Sequence, residues 1–220
     1  LLSSSENFIK FDIKILYIKR KMNQKDVLNL DNLESIVRKV VNKEEKITLS
    51  DFNLESYTIS DNYKKKLINL EKGDYSEIRD NIEPIAKEAE NQGYPPSIFT
   101  ALYEAVLNAF QHGNKKNVKK QIEIAYKTGS KKFDILVRDE GGELDSNFIP
   151  FILRHREGAF KEKFIDFYEF SGIEKPITNN GTGTSFMHTY VDEVQYLKST
   201  QNGLIVRMIK NKNNKGKTYK

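Results

Sequence analysis

The chain has 220 residues, enough for one well-cored domain with an extension and too few for two comfortable domains. It has no cysteine, which excludes disulfides and thiolate metal sites, and no apolar run of membrane-spanning length. The net charge is +5 with a pI of about 9.0, but lysines alternate with glutamates almost throughout, the pattern of a solvated surface rather than of a nucleic-acid footprint.

Residues 1–45 read as an extension. Phe11, Ile13, Ile15 and Tyr17 alternate as in a strand, and the first methionine is Met22. Over 25–41 the positions Val27, Leu28, Leu30, Leu33, Ile36, Val37, Val40 and Val41 form an amphipathic helical stripe. The start, Leu1 to Glu6, lacks the basic and apolar regions of a signal peptide, so a cytoplasmic protein without membrane contact is expected.

The globular unit is expected over 46–210. Residues 47–50 and 54–59 read as short strands. Ser60 and Asp61 offer an N-cap, which predicts a helix through Leu70, broken at Gly73. Ile78, Ile82, Ile85 and Ala89 predict a longer helix, kinked by Pro84 and ended by Gly93. A third helix starts near Ser97 on the stripe Ile98, Leu102, Val106 and Ala109, and Gly113 and Asn114 terminate it. Residues 121–128 and 132–138 predict a hairpin around Gly129 and Ser130. Residues 143–180 form a long connection of the lid type, with Arg154, His155 and Arg156 and the aromatics Phe160, Phe164, Phe167, Tyr168 and Phe170. Gly181 to Ser185 open a short helix to Tyr190, and 194–197 and 204–209 pair around Asn202 and Gly203. Residues 211–220 make a basic, flexible tail. Helices followed by strand pairs give an α+β fold, with helices on one face of a mixed, mostly antiparallel sheet.

Three stretches carry chemistry. In Glu104-Ala-Val-Leu-Asn108-Ala-Phe-Gln-His112-Gly113 a carboxylate and a carboxamide lie one helical turn apart on one face. Asn108 offers a neutral oxygen suited to Mg²⁺, and Glu104 can accept a proton from a hydroxyl or water. Asp139 ends a strand where its carboxylate can accept a hydrogen bond from an exocyclic amine, and Gly141 lets the backbone pass close to a base. Gly181, Gly183 and Thr184 precede a helix whose N-terminus suits phosphate. No lysine follows these glycines in the place a Walker A loop requires. Each stretch alone has an ordinary reading: a surface pair, a turn, a flexible loop.

In this order and spacing the three resemble the GHKL ATPases, the superfamily of gyrase, Hsp90, histidine kinases and MutL. Glu104 to Gly113 resembles the N box, Asp139-x-Gly141 the first glycine box, and Gly181-x-Gly183-Thr184 the second. Within the superfamily the chain is most similar to the anti-sigma-factor serine kinases. The glycine box, short helix and Val191-Asp192-Glu193-Val194-Gln195-Tyr196 carry that likeness, which spans 50–210. The resemblance implies a two-layer Bergerat sandwich binding ATP with Mg²⁺. Asn108 would hold the metal and Glu104 would be the general base. Asp139 would take the adenine amine with Gly141 beside it, and Gly181, Gly183 and Thr184 would hold phosphates. It implies γ-phosphoryl transfer to a serine of an anti-anti-sigma partner, and sequestration of a sigma factor by a dimer.

The chain departs from the pattern at Glu143, where a second glycine is usual, at Ser185, and in the length of the lid. These leave a second reading open, an ATP-dependent switch or partner-binding module without phosphotransfer. A histidine-kinase module fits less well, because the 25–41 stripe contains no histidine to accept a phosphoryl group. Arg154 and Arg156 could reach phosphates from the lid or form a solvated pair, and His112 and His188 read as structural.

Overall fold

The computed structural model describes residues 56–141, 151, 152, 155, 166–171, 174, 175 and 181–212. The expected strands at 11–17 and 47–50, the helical stripe at 25–41, Glu143, Arg154, Arg156, Phe160, Phe164 and the tail beyond Lys212 lie outside these residues. The elements are β1 (Ser56–Tyr57), β2 (Lys64–Ile68), α1 (Tyr75–Asn91), α2 (Ile98–Asn108), β3 (Ile122–Thr128), β4 (Lys132–Arg138), α3 (Phe167–Ser171), α4 (Gly183–Tyr190), β5 (Glu193–Ser199) and β6 (Leu204–Asn211). They build a six-stranded sheet in the order β1-β5-β6-β4-β3-β2. Only the β1–β5 pair is parallel. This is the expected α+β sandwich.

Alternation along the strands decides what each face buries. One face gives Ile122, Ile124, Phe133, Ile135, Val137, Val206 and Met208 to a core shared with Ile78, Ile82 and Ile85 of α1, Leu102 and Val106 of α2, and Met187 of α4. Burying each such side chain contributes about 1.5–3 kcal/mol. The other face carries a smaller apolar set, Ala125, Leu136, Leu197 and Ile205, with Tyr57, Ile59 and Tyr63 packed against it. Charge is buried there in pairs. Arg207 grips Asp134 through two bonds of 2.9 and 2.6 Å, and Tyr63 donates to the same carboxylate at 2.9 Å. Burial alone would raise the Asp134 carboxyl, but the guanidinium, with Tyr63 and Lys132, holds it below its ordinary value. Arg138 pairs with Glu123 at 2.8 Å beside it.

α1 is bounded by its own chemistry. Asp74 accepts from the Glu77 N–H at 2.9 Å, and Glu77 accepts from the N–H groups of Glu71, Lys72 and Gly73. That is a capping box extended into the preceding loop. Burial would raise the Glu77 carboxyl, and the three amides outweigh it and lower it. At the other end the amides of Gly93 and Tyr94 close on the carbonyls of Glu90 and Ala89, with Gly93 at φ +83°. The helix continues through Pro84 as one element.

The expected helix at 60–70 is a strand instead. Ser60 accepts from Tyr63 in a turn, and 64–68 then pair antiparallel with β3, Ile68 opposite Ile122. The lysines look helical in sequence, but Ile68 and Leu70 alternate into the core, while Lys66 lays its stem along the sheet and donates to the Asn81 carbonyl at 2.7 Å. Lys64 pairs with Glu88 of α1 at 2.6 Å. β6 also reaches further than expected, to Asn211, whose amide donates to Asp192 at 2.6 Å.

Candidate functional site

α2 positions the first two candidate residues. Its apolar positions Ala101, Leu102, Ala105 and Val106 are fully buried, which turns Glu104 and Asn108 to the half-buried edge of the stripe. Both face the first turn of α4. A Cβ on Gly183 would stand 2.5 Å from Glu104 Oε2 and 3.6 Å from Asn108 Nδ2. A side chain on Gly183 would displace the end of Glu104, while Asn108 stands at ordinary contact distance. The first-turn N–H groups of α4 have no partner within the helix and carry its positive dipole end. A carboxylate, a carboxamide and these donors thus converge on one place. Burial pushes the Glu104 carboxyl above the ordinary glutamate value.

The end of α2 is not the simple stop the sequence suggests. Residues Ala109–Gly113 form a π-turn, and His112 lies within it. Gly113 is not the left-handed cap expected of a terminating glycine, since that conformation falls on Lys115 and Lys116 (φ +54° and +57°). Gly113 is a glycine because Asp139 is pressed against it. A Cβ there would overlap the Asp139 carboxylate, and a Cβ on Gly141 would fall on the Gly113 carbonyl.

Asp139 follows β4 and is 4% exposed. Its Oδ1 accepts from the amides of Gly141 at 2.9 Å and Leu204 at 3.2 Å, and its own amide donates to the Leu204 carbonyl. Gly203, at φ +90° in the β5–β6 turn, passes directly over the Asp139 carbonyl. The structure thus brings Asp139 and Gly141 together with the end of α2 and with the last hairpin. Sequence reasoning had no view of that hairpin's part, although Asn202 and Gly203, both at positive φ, are a readable turn signal.

Gly181 adopts φ +66° and accepts from the Phe167 N–H at 2.9 Å. The Tyr168 ring lies where its Cβ would be, 2.6 Å from that position. The aromatic segment at α3 therefore rests on the second glycine box. Thr184 and Ser185 are buried. Ser185, one of the departures in the sequence, is bonded through Oγ to His155 Nε2 at 3.0 Å. His155 stacks on His188 at 4.9 Å between ring centroids, and Phe151 meets it edge-on. Burial pushes the His155 imidazole down to about 4. His155 and His188 are the residues sequence reasoning undervalued. The signal was present, a serine in the box and histidines on both sides, but nothing in the spacing brings 155 to 188.

Residues 85–210 match the family described as histidine kinase-like ATPase domain. The chain belongs to that family. The match contains all three stretches and more than half of the chain, and it accounts for the sheet with helices on one face. No match was found among curated proteins. As a histidine kinase-like ATPase domain, the chain is of the ATP-binding type. Glu104 and Asn108 approach Gly183, and Asp139 and Gly141 approach Gly113 at the end of α2. No helix among the described residues is long and apolar enough to cross a membrane.

Proposed function

We propose that this ATPase domain is a regulatory serine kinase of the anti-sigma kind, transferring the γ-phosphoryl group of ATP to a serine of an anti-anti-sigma-like partner. It would act as a homodimer in the cytoplasm and bind a sigma-factor-like protein in its other role. The observation that supports this most is the approach of Glu104 and Asn108 to Gly183, which sets a proton acceptor and a metal-suited carboxamide against a phosphate-binding helix N-terminus.

In this reading Asp139 accepts the adenine amine, and Gly141 lets the base lie against the backbone. The first turn of α4, with Gly181, Gly183 and Thr184, receives the phosphates. Among the described residues no group of three His, Cys, Asp or Glu side chains could hold a metal ion. A magnesium ion here would thus be held by Asn108 Oδ1, phosphate and water, and would neutralise phosphate charge when bound. Glu104 takes the proton from the partner's serine hydroxyl. The serine oxygen forms its bond to the γ-phosphorus as the bond to the bridging oxygen breaks, and that electron pair leaves with ADP. The raised Glu104 carboxyl suits a base that must hold the proton through the transfer.

One observation favours a second reading, a switch without transfer. α3 is docked on Gly181, so phosphate arriving at that loop displaces an aromatic segment able to meet a partner. Two measurements separate the readings. Titration of wild type and Asn108→Ala with Mg-ATP should show at least about a tenfold weaker variant; equal affinities would remove Asn108 from the site. Incubation with γ-labelled ATP and a serine-bearing partner should label the partner with wild type and not with Glu104→Gln. Tight ATP binding with no label in either would leave the switch.

A further inference from the structure

The π-turn ends on Asn114, which neither the motifs nor the mechanism uses. It is 1% exposed, and every polar atom it owns is engaged. Its Oδ1 accepts from the Glu140 N–H at 2.8 Å, and its Nδ2 donates to the Gln121 carbonyl at 3.0 Å. Its amide donates to the Ala109 carbonyl at 2.7 Å, and its carbonyl accepts from Asn117 at 3.0 Å. Glu140 completes the ring by accepting from the Gln121 N–H at 3.0 Å. One side chain therefore joins the end of α2, the entry to β3 and the turn that carries Asp139 and Gly141. It does so beside the contact in which Gly141 rests on the Gly113 carbonyl.

We propose that Asn114 is a positioning residue for base recognition: it clamps the Glu140 amide so that the Asp139 carboxylate and the Gly141 backbone are held ready for the base. This rests on the nucleotide reading above. The residue type follows from the two bonds. The site needs one acceptor facing an N–H and one donor facing a carbonyl, 26 residues from Glu140 and 7 from Gln121. A carboxamide supplies both from two separate atoms, its oxygen to the Glu140 N–H and its nitrogen to the Gln121 carbonyl; a serine hydroxyl also donates and accepts, but from a single shorter-reaching atom. An aspartate would set an oxygen against the Gln121 carbonyl, and an alanine would leave a buried amide and a buried carbonyl without their partners. The motion this clamp prevents is specific. If the turn shifts at Glu140, Asp139 Oδ1 keeps its bond to Leu204 but loses its place relative to Gly141, and the base end of the site opens. The phosphate end stands on α4 and has no bond to Asn114.

The test exploits that separation. Affinities of wild type, Asn114→Ser and Asn114→Ala for ATP, GTP and inorganic tripolyphosphate are measured by calorimetry. The variants should bind ATP about tenfold more weakly and discriminate less between ATP and GTP, because adenine offers an amine where guanine has a carbonyl. Tripolyphosphate, which has no base, should bind as before. Equal losses for ATP and tripolyphosphate would mean a general structural role and would overturn the proposal, as would unchanged ATP binding. Should both variants fail to fold, the amide resonance of Glu140 and the side-chain resonance of Asn114 are followed in the wild type. Both should move on adding ATP and stay in place on adding tripolyphosphate; the absence of that difference overturns the proposal. Wild type that takes up no ATP would remove the nucleotide reading itself, whereas binding with an indifferent Asn114 removes only its role.

Discussion

The two ends of the candidate site are built by different means. Around Asp139 the approach is backbone on backbone: Gly141 on the Gly113 carbonyl, Gly203 on the Asp139 carbonyl, with Asn114 tying the turn from beside it. Around Gly183 the approach is side chain on backbone, since what meets its Cα is the far end of Glu104. A peptide group in a sheet or a π-turn cannot step aside, but a glutamate can rotate. The first end is therefore a rigid mould and the second an adjustable contact.

Adding one methyl group at each end breaks this comparison in opposite ways. Gly141→Ala should be the largest effect, destabilising the fold by about 3 kcal/mol or more, because its Cβ has no space beside the Gly113 carbonyl. Chemical denaturation reads this directly, and a loss well under that figure would mean that the turn is softer than its contacts imply. Gly183→Ala should cost only about 1 kcal/mol, since Glu104 can swing away. Its price appears in turnover, expected to fall by about a hundredfold through the misplaced base, a larger loss than any in ATP affinity. A Gly183→Ala protein as destabilised as Gly141→Ala would erase the distinction between the ends.

A third effect, confined to acid pH, is expected at the histidine contact behind α4. The His155 imidazole is held down to about 4 by burial, so the folded protein resists the proton that the unfolded chain accepts near the ordinary value of 6.5. The folded value is the lower one, so this contribution is complete above pH 6.5 and is lost as the pH falls from there towards 4. Melting temperatures of wild type and His155→Gln measured across that window should converge as the pH falls. Parallel curves would show that His155 carries no part of the acid sensitivity.

Much of the fold was legible because its signals are local. The hairpin over 122–138 announced itself by alternation around Gly129 and Ser130, and α1 by apolar spacing between Gly73 and Gly93. β2 was not legible. Three lysines in succession have no apolar side to alternate. The partners of Lys64 and Lys66, Glu88 and the Asn81 carbonyl, belong to another element, while Lys65 bonds Asp61 at the helix-like spacing of four. Of the site, Glu104 and Asn108 could be read from helical spacing, and the two glycine boxes from their order. The π-turn could not be read, because the width of a turn depends on what it must reach. It places Gly113 against Asp139, 26 residues away in sequence, and only then does it become clear why 113 is a glycine. The role of Ser185 was hidden for the same reason, since its partner His155 lies 30 residues earlier.

The lysines that concealed β2 have a consequence beyond the site. Among the described residues β2 is the end of the sheet beyond β3, and a terminal strand offers its outer amides and carbonyls to any other extended chain. Here that ribbon is Lys64-Lys65-Lys66, with Leu67 exposed beside it. Lys64 is held by Glu88 at 2.6 Å, Lys65 by Asp61 at 2.8 Å, and Lys66 donates to the Asn81 carbonyl at 2.7 Å. A strand added beyond β2 would have to seat itself among these three anchored lysine side chains, a charged edge of the kind that discourages strand addition.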